Sequence, residues 1–161
     1  DYPSSAKFSH NESVHDEMYE DGIYVGYRYF DSFGVKPLYC FGYGKSYTDF
    51  EIKAGKISVE GNEIQIPVTV KNTGNCTGTE TLQLYIHDIA ASVVRPVREL
   101  KDFKKVTLRP GEEKKVVFTI TEQQLLFLTE NGIYESEAGE FEIFIGKDSL
   151  TDNKASFVLK K

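Results

Sequence analysis

Two carboxylates, Asp21 and Asp31, flank a stretch crowded with aromatic rings, and Arg28 lies between them. Paired acids beside aromatic platforms are the equipment for holding a sugar ring or for dividing work between an acid and a base. Surface acids beside rings are far more common without any such role, and that is the reading adopted for this pair. An arginine among aromatics stacks on a ring or pairs with a carboxylate. For Arg28 a structural role, with Asp31 as partner, is expected over substrate contact. His10, His15 and His87 are too scattered for a metal site, and His87 takes an outward, solvent-facing position in its alternating run. Cys40 and Cys76 fit no zinc or redox spacing, so two half-buried thiols are expected rather than a disulfide. Phe41-Gly42-Tyr43-Gly44 does not lie between a strand and a helix start, which sets a phosphate loop aside. No serine has a convergent histidine and acid. Asn11-Glu12-Ser13 and Asn75-Cys76-Thr77 match the glycosylation triplet, which matters only in a secreted eukaryotic protein. The sequence therefore offers no candidate catalytic, cofactor-binding or metal-binding residue, and no cofactor is expected.

The aromatic stretch itself runs from Tyr27 to Phe50. It holds nine aromatic residues in 24, where the chain-wide share of 13% corresponds to about three. It has neither the alternation of a half-buried strand nor the spacing of an amphipathic helix. So much apolar surface is not left as a free loop and requires a cover. Upstream, Glu12, Asp16, Glu17, Glu20 and Asp21 form an acidic cluster that reads as a solvated loop.

Residues after 50 read differently. Ile64, Ile66, Val68 and Val70 alternate with Gln65, Pro67, Thr69 and Lys71, and Leu82, Leu84 and Ile86 with Gln83, Tyr85 and His87. Similar alternation recurs at Val116–Ile120, Phe141–Ile145 and Phe157–Leu159, with shorter pairs at Ile57/Val59 and Val106/Leu108. One apolar face at period two is the pattern of antiparallel strands covered on one side. Asn72-Thr73-Gly74-Asn75, Glu130-Asn131-Gly132 and Ala138-Gly139 punctuate the runs, and Arg109-Pro110-Gly111-Glu112 suits a type II turn. Thr121–Leu126 has the makings of a capped helical turn. Pro67 points to an edge strand. Residues 90–98 read as a long connection between two sheets; the sharper alternative lays them on a neighbouring domain, with Arg95 and Arg98 pairing acids there. The fold class is all-β: an immunoglobulin-like β-sandwich of about seven strands with an irregular, aromatic-rich N-terminal extension. The expected division is 1–49 and 50–161. A net charge of −6 argues against nucleic acid and an anionic membrane as partners. No apolar run approaches the roughly 20 residues of a membrane span, and the opening DYPSSAKF is too polar for a signal peptide.

Two groups of residues carry a resemblance. Residues 20–31 (EDGIYVGYRYFD), Pro37-Leu38-Tyr39, Phe41-Gly42-Tyr43-Gly44 and Ser46-Tyr47-Thr48 resemble the carboxy-terminal part of glycoside hydrolase family 3, chiefly its β-glucosidases. Asn72-Thr73-Gly74, Gln83-Leu84-Tyr85, residues 95–101 (RPVRELK) and Phe103-Lys104-Lys105-Val106 with Leu108, Pro110, Gly111 and Glu112 look like that family's fibronectin type III-like domain. Departures stand at Cys40, Lys45 and Asp102, where the family usually has Pro, Leu and Gly; a charge at Lys45 weakens an apolar docking face.

The resemblance implies a retaining hydrolase whose nucleophile and acid/base carboxyls lie on other domains, so that these residues alone do not hydrolyse glycosides. It implies that residues 1–49 are the tail of an α/β sandwich domain and its linker, buried against neighbouring domains. The residues expected to dock are Arg28, Tyr29, Phe30, Phe33, Phe41, Tyr43 and Tyr47. The expected partners are the remaining catalytic domains of the parent hydrolase, or a second copy of this chain through its exposed aromatics. Phe41→Ala is expected to cost about 3 kcal/mol where the ring is fully buried. A free-standing carbohydrate-binding module and an adhesion-type spacer remain the alternatives.

Overall fold

The computed structural model describes residues 21–161 other than Asn62. His10, His15, the triplet at 11–13 and the acids Glu12, Asp16, Glu17 and Glu20 lie outside the described residues. The described chain opens with a short helix, α1 (Tyr27–Ser32), and continues with β1 (Phe50–Ala54), β2 (Ser58–Glu60), β3 (Glu63–Asn72), β4 (Gly78–Asp88), β5 (Glu99–Leu108) and β6 (Glu113–Thr121). It closes with α2 (Glu122–Leu125), β7 (Phe127–Leu128), β8 (Tyr134–Glu135), β9 (Gly139–Gly146) and β10 (Lys154–Leu159). In the first sheet β3 is central, flanked by β6 on one side and by β1 and β2 end to end on the other. The second sheet runs β10-β9-β4-β5, and β7 and β8 form a small ribbon. All pairings are antiparallel. The result is an all-β sandwich.

The alternating residues do what their period demands. Ile64, Ile66, Val68 and Val70 of β3, with Phe118 and Ile120 of β6, meet Leu82, Leu84 and Ile86 of β4 and Ile143 and Ile145 of β9 in one buried core. Phe141 and Phe157 stack within it, ring centroids 5.2 Å apart. The type II turn forms: Glu112 N donates to Arg109 O at 3.0 Å, and Gly111 takes a φ of 75°, a value that favours glycine. This turn carries the chain from β5 in one sheet to β6 in the other. The helical turn α2 also forms, with Thr121 N donating to Gln124 Oε1 at 3.0 Å.

Three expectations are corrected. Pro67 does not mark an edge strand, because β3 is central. Its carbonyl accepts from Gly55 N at 2.7 Å, so residue 67 turns its backbone towards the bend between β1 and β2, where no ladder needs a donor. Residues 90–98 do not link two sheets; they lie in the connection between β4 and β5, neighbours in the second sheet. The aromatic stretch is not wholly irregular, because α1 occupies its first six residues.

Candidate docking surface

β4 departs from one-sided burial. Its inward residues Leu82, Leu84 and Ile86 are buried, but so are the outward Gln83 and Tyr85, the latter with 0% exposure. The cover is the aromatic stretch. The Tyr27 ring meets Tyr85 edge-on at 5.7 Å and stacks on Phe41 at 4.9 Å. Tyr27 Oη accepts from Leu100 N at 2.8 Å, and Phe41 O accepts from Ser149 N at 2.9 Å. Ser32 Oγ accepts from Val97 N at 3.3 Å. Gln83 Nε2 donates to Lys147 O at 2.8 Å, and its Oε1 accepts from the Tyr85 hydroxyl. Gly42 is where the stretch comes nearest: a Cβ there would stand 2.3 Å from Gln83 Nε2, and its φ of 87° favours glycine in any case. The far end is pinned by Asn72, which is fully buried. Its Oδ1 accepts from Thr48 Oγ1 at 2.7 Å and from Gly74 N at 3.0 Å, while its Nδ2 donates to Cys76 O at 2.8 Å and to Leu108 O at 3.0 Å. All four hydrogen-bonding positions of this amide are used.

The other side of the stretch faces outward. Phe33, Leu38, Tyr39, Phe41, Tyr43 and Tyr47 are exposed, Phe41 by 47% and Tyr47 by 99%. Tyr29 and Phe30 are half-buried and meet each other at 5.5 Å. Tyr39 and Tyr43 pair at 4.9 Å. Of the seven residues expected to dock, Phe33, Phe41, Tyr43 and Tyr47 thus present rings to the outside, while Arg28, Tyr29 and Phe30 sit in α1, half-buried.

Charge collects at the start of β5. A register shift sets Leu84 opposite Asp102 but Tyr85 opposite Leu100, leaving Lys101 unpaired in the ladder. Lys101 Nζ reaches Glu99 Oε2 at 3.1 Å, and Arg95 Nη2 reaches the same oxygen at 2.7 Å. Burial pushes the Glu99 carboxyl up, but Lys101 and Arg95 outweigh it and hold the group below its ordinary value. Arg28 pairs with Glu99 Oε1 at 3.6 Å, not with Asp31 as expected. Asp31 instead faces Ser149, whose Oγ lies 3.5 Å from Oδ1, while Oδ2 is buried without a hydrogen-bond partner among the described residues. Burial raises its pKa, and the Ser149 hydrogen bond and Arg98 offset only part of that. Arg98 lies over the Phe144 ring at 4.1 Å and donates to Ser149 O. Both loop arginines therefore find partners within the chain, where the sharper reading placed them on a neighbouring domain. His87 is half-buried rather than solvent-facing, with Nδ1 3.5 Å from Glu142 Oε2. The thiols of Cys40 and Cys76 are free and half-buried. Among the described residues no group of three or more His, Cys, Asp or Glu is placed to hold a metal ion, and no helix is long and apolar enough to cross a membrane.

Residues 80–149 match the fibronectin type III-like domain. The chain is 44% identical over 155 residues to thermostable β-glucosidase B of Acetivibrio thermocellus, covering 89% of this chain and 20% of that protein. It is 46% identical over 144 residues to a β-glucosidase of Bacteroides ovatus, covering 86% of this chain and 19% of the relative. The chain belongs to glycoside hydrolase family 3. It corresponds to the carboxy-terminal region of such enzymes and spans about a fifth of the length of the relatives it matches. Solved β-glucosidase structures share its fold: β-glucosidase 3B from Thermotoga neapolitana in complex with glucose superposes with a TM-score of 0.82 at 40% identity, over 89% of this chain and 20% of that one. The β-glucosidase from Kluyveromyces marxianus in complex with glucose gives 0.85 at 38%, over 89% and 18%.

The departures from the usual family 3 pattern fall in different settings. Lys45 is exposed, so its charge stays in water. Asp102 is half-buried and its Oδ1 accepts from Phe103 N at 2.7 Å. Sequence reasoning missed two residues that build this family 3 surface. Asn72 was legible only as part of a turn, and Glu99 only as one residue of a motif. Tyr85 at an outward position of an alternating run was the available signal that β4 is covered on both faces.

Proposed function

We propose that this chain is the non-catalytic carboxy-terminal buttress of an enzyme that hydrolyses terminal β-glycosides. In this reading residues 1–49 are the tail of the α/β sandwich domain and its linker, and 50–161 are the fibronectin type III-like domain. One observation carries it: the aromatic stretch is fastened to the sandwich on one side and leaves Phe33, Phe41, Tyr43 and Tyr47 exposed on the other. A seam covered on one side only calls for a second covering surface. The remaining domains of the parent supply it, through Arg28, Tyr29 and Phe30 as well as the exposed rings. In their absence the same rings pair two copies of the chain.

The reading is tested by producing the chain and the rest of the parent enzyme separately and mixing them. A stable complex with restored turnover of a chromogenic β-glucoside is expected, with no turnover by the chain alone. Turnover by the purified chain, or failure of the two parts to associate, would overturn it. Heat released on titrating the chain with glucose or cellobiose would favour a carbohydrate-binding module instead.

A further inference from the structure

We propose that the cleft between the start of α1 and the β4–β5 connection takes a carboxylate. Its occupant is an acidic, apolar-flanked segment of the parent enzyme's remaining domains. The inference rests on the buttress reading and gives one part of that surface its chemistry.

The cleft has a volume of about 250 Å³, and its charged lining is Arg28, Arg95, Lys101 and Glu99. Three cations meet two carboxylates there. Glu99 receives Arg95 at 2.7 Å, Lys101 at 3.1 Å and Arg28 at 3.6 Å, and Asp88 Oδ2 lies 3.5 Å from Arg95. The direct ion pairs leave one positive charge over, and Glu137, which hydrogen bonds from Ser92 and then the charge of Arg95 hold below its ordinary value, balances it on the Arg95 side of the cluster, away from Arg28 in the chain order. Arg95 and Lys101 are committed: their side chains are 11% and 16% exposed, and Arg95 also lies over the Phe127 ring at 5.1 Å. Arg28 is not. Its side chain is 37% exposed, and its contact with Glu99 is too long for a hydrogen bond. A guanidinium with unspent donors matches the two oxygens of a carboxylate.

The rim selects what accompanies that carboxylate. Ile23, Val94 and Leu128 line the cleft and are exposed, so aliphatic neighbours of the acid have a place to sit. A polyanion is repelled by the chain's overall charge, and a neutral sugar leaves the guanidinium unmatched. The remaining domains are the source because the cleft is continuous with the aromatic seam: Arg28 belongs to α1, which also carries Tyr29 and Phe30. The chain spans about a fifth of its relatives, so the covering partner lies in the other four fifths.

The test titrates the 161-residue chain with N-acetyl-leucine, a carboxylate beside an aliphatic group, and follows the backbone amides of Arg28, Val94 and Leu128 by NMR. Saturable shifts in the millimolar range are expected, with N-acetyl-leucinamide at least about tenfold weaker. Arg28→Gln is expected to weaken N-acetyl-leucine by about tenfold as well. Should that variant lose its dispersed spectrum, Arg28→Lys decides: it keeps the charge but not the fork, and a weakening of about threefold is expected. Equal responses to the acid and the amide, no saturable shift, or unchanged binding by the deciding variant overturns the proposal. The two readings fail separately. Equal association of wild-type and Arg28→Gln chains with the remaining domains sinks the carboxylate assignment alone, whereas no association by the wild-type chain sinks the buttress.

Discussion

The space between the two sheets and the seam on the outer face of the second sheet are both built from rings and aliphatic groups, but they are finished differently. Between the sheets, Phe118, Ile66, Val68 and Leu84 are closed off from water and need nothing but one another. On the outer face, Tyr27, Phe41, Gln83 and Tyr85 pack through hydrogen bonds as well as ring contacts, and the layer above them is half-exposed. The core is a folding device. The seam is a fastening with one side done up, and its remaining apolar area is available to a partner.

The widest gap between the two regions should appear in truncation of a ring. Phe118→Ala, in the closed core, is expected to lower the stability of the chain by about 4 kcal/mol, read from its urea unfolding midpoint. A loss below about 1 kcal/mol would place Phe118 outside the core. Next comes the charge cluster beneath the seam. Glu99→Gln leaves Arg95, Lys101 and Arg28 without their shared anion and is expected to cost about 3 kcal/mol at neutral pH. Because the Glu99 pKa is held down in the folded chain, its contribution is full above the ordinary glutamate range near 4.3 and fades as pH falls through the lowered value. An unchanged cost well below that range would contradict the assignment.

Phe41→Ala is expected to cost about 1 kcal/mol in the chain alone, since about half the ring already meets water, and more once the parent's remaining domains cover it. Equal costs in the two settings would mean the seam is never closed. The smallest effect has the opposite sign. Asp31 carries a raised pKa, so its charge opposes folding above that value and the opposition lifts as pH falls through it. Asp31→Asn is expected to stabilise the chain by less than about 1 kcal/mol at pH 7, with the advantage shrinking towards pH 4. An advantage that grows on acidification would reverse the assignment.

The sandwich was legible because each long strand repeats its apolar residue every second position, and a side chain two residues on lies on the same face. The turn at Pro110-Gly111 and the helical turn after Thr121 were legible from local chemistry alone. Pro67 and the 90–98 connection are misplaced by the sequence reading because strand order is a long-range choice: nothing near Pro67 states that β1 and β2 would leave a bend opposite its missing donor. The rings expected to dock are visible as composition, but which of them face inward is not. Tyr27, outside the set expected to dock, is the ring that fastens the stretch to Tyr85, whereas Tyr47 stands almost wholly in water.

The alternation, the turns and the motif residues by themselves determined that this chain folds as a β-sandwich and belongs with family 3 glycoside hydrolases, because those features are local in sequence. Only the tertiary structure decided that the aromatic stretch lies on the outer face of the second sheet, that Arg28 turns to Glu99 rather than Asp31, and that Asn72 ties the stretch down. Each of these joins residues from different elements, and such contacts exist only once β4, β5 and β9 have assembled the surface on which they are made.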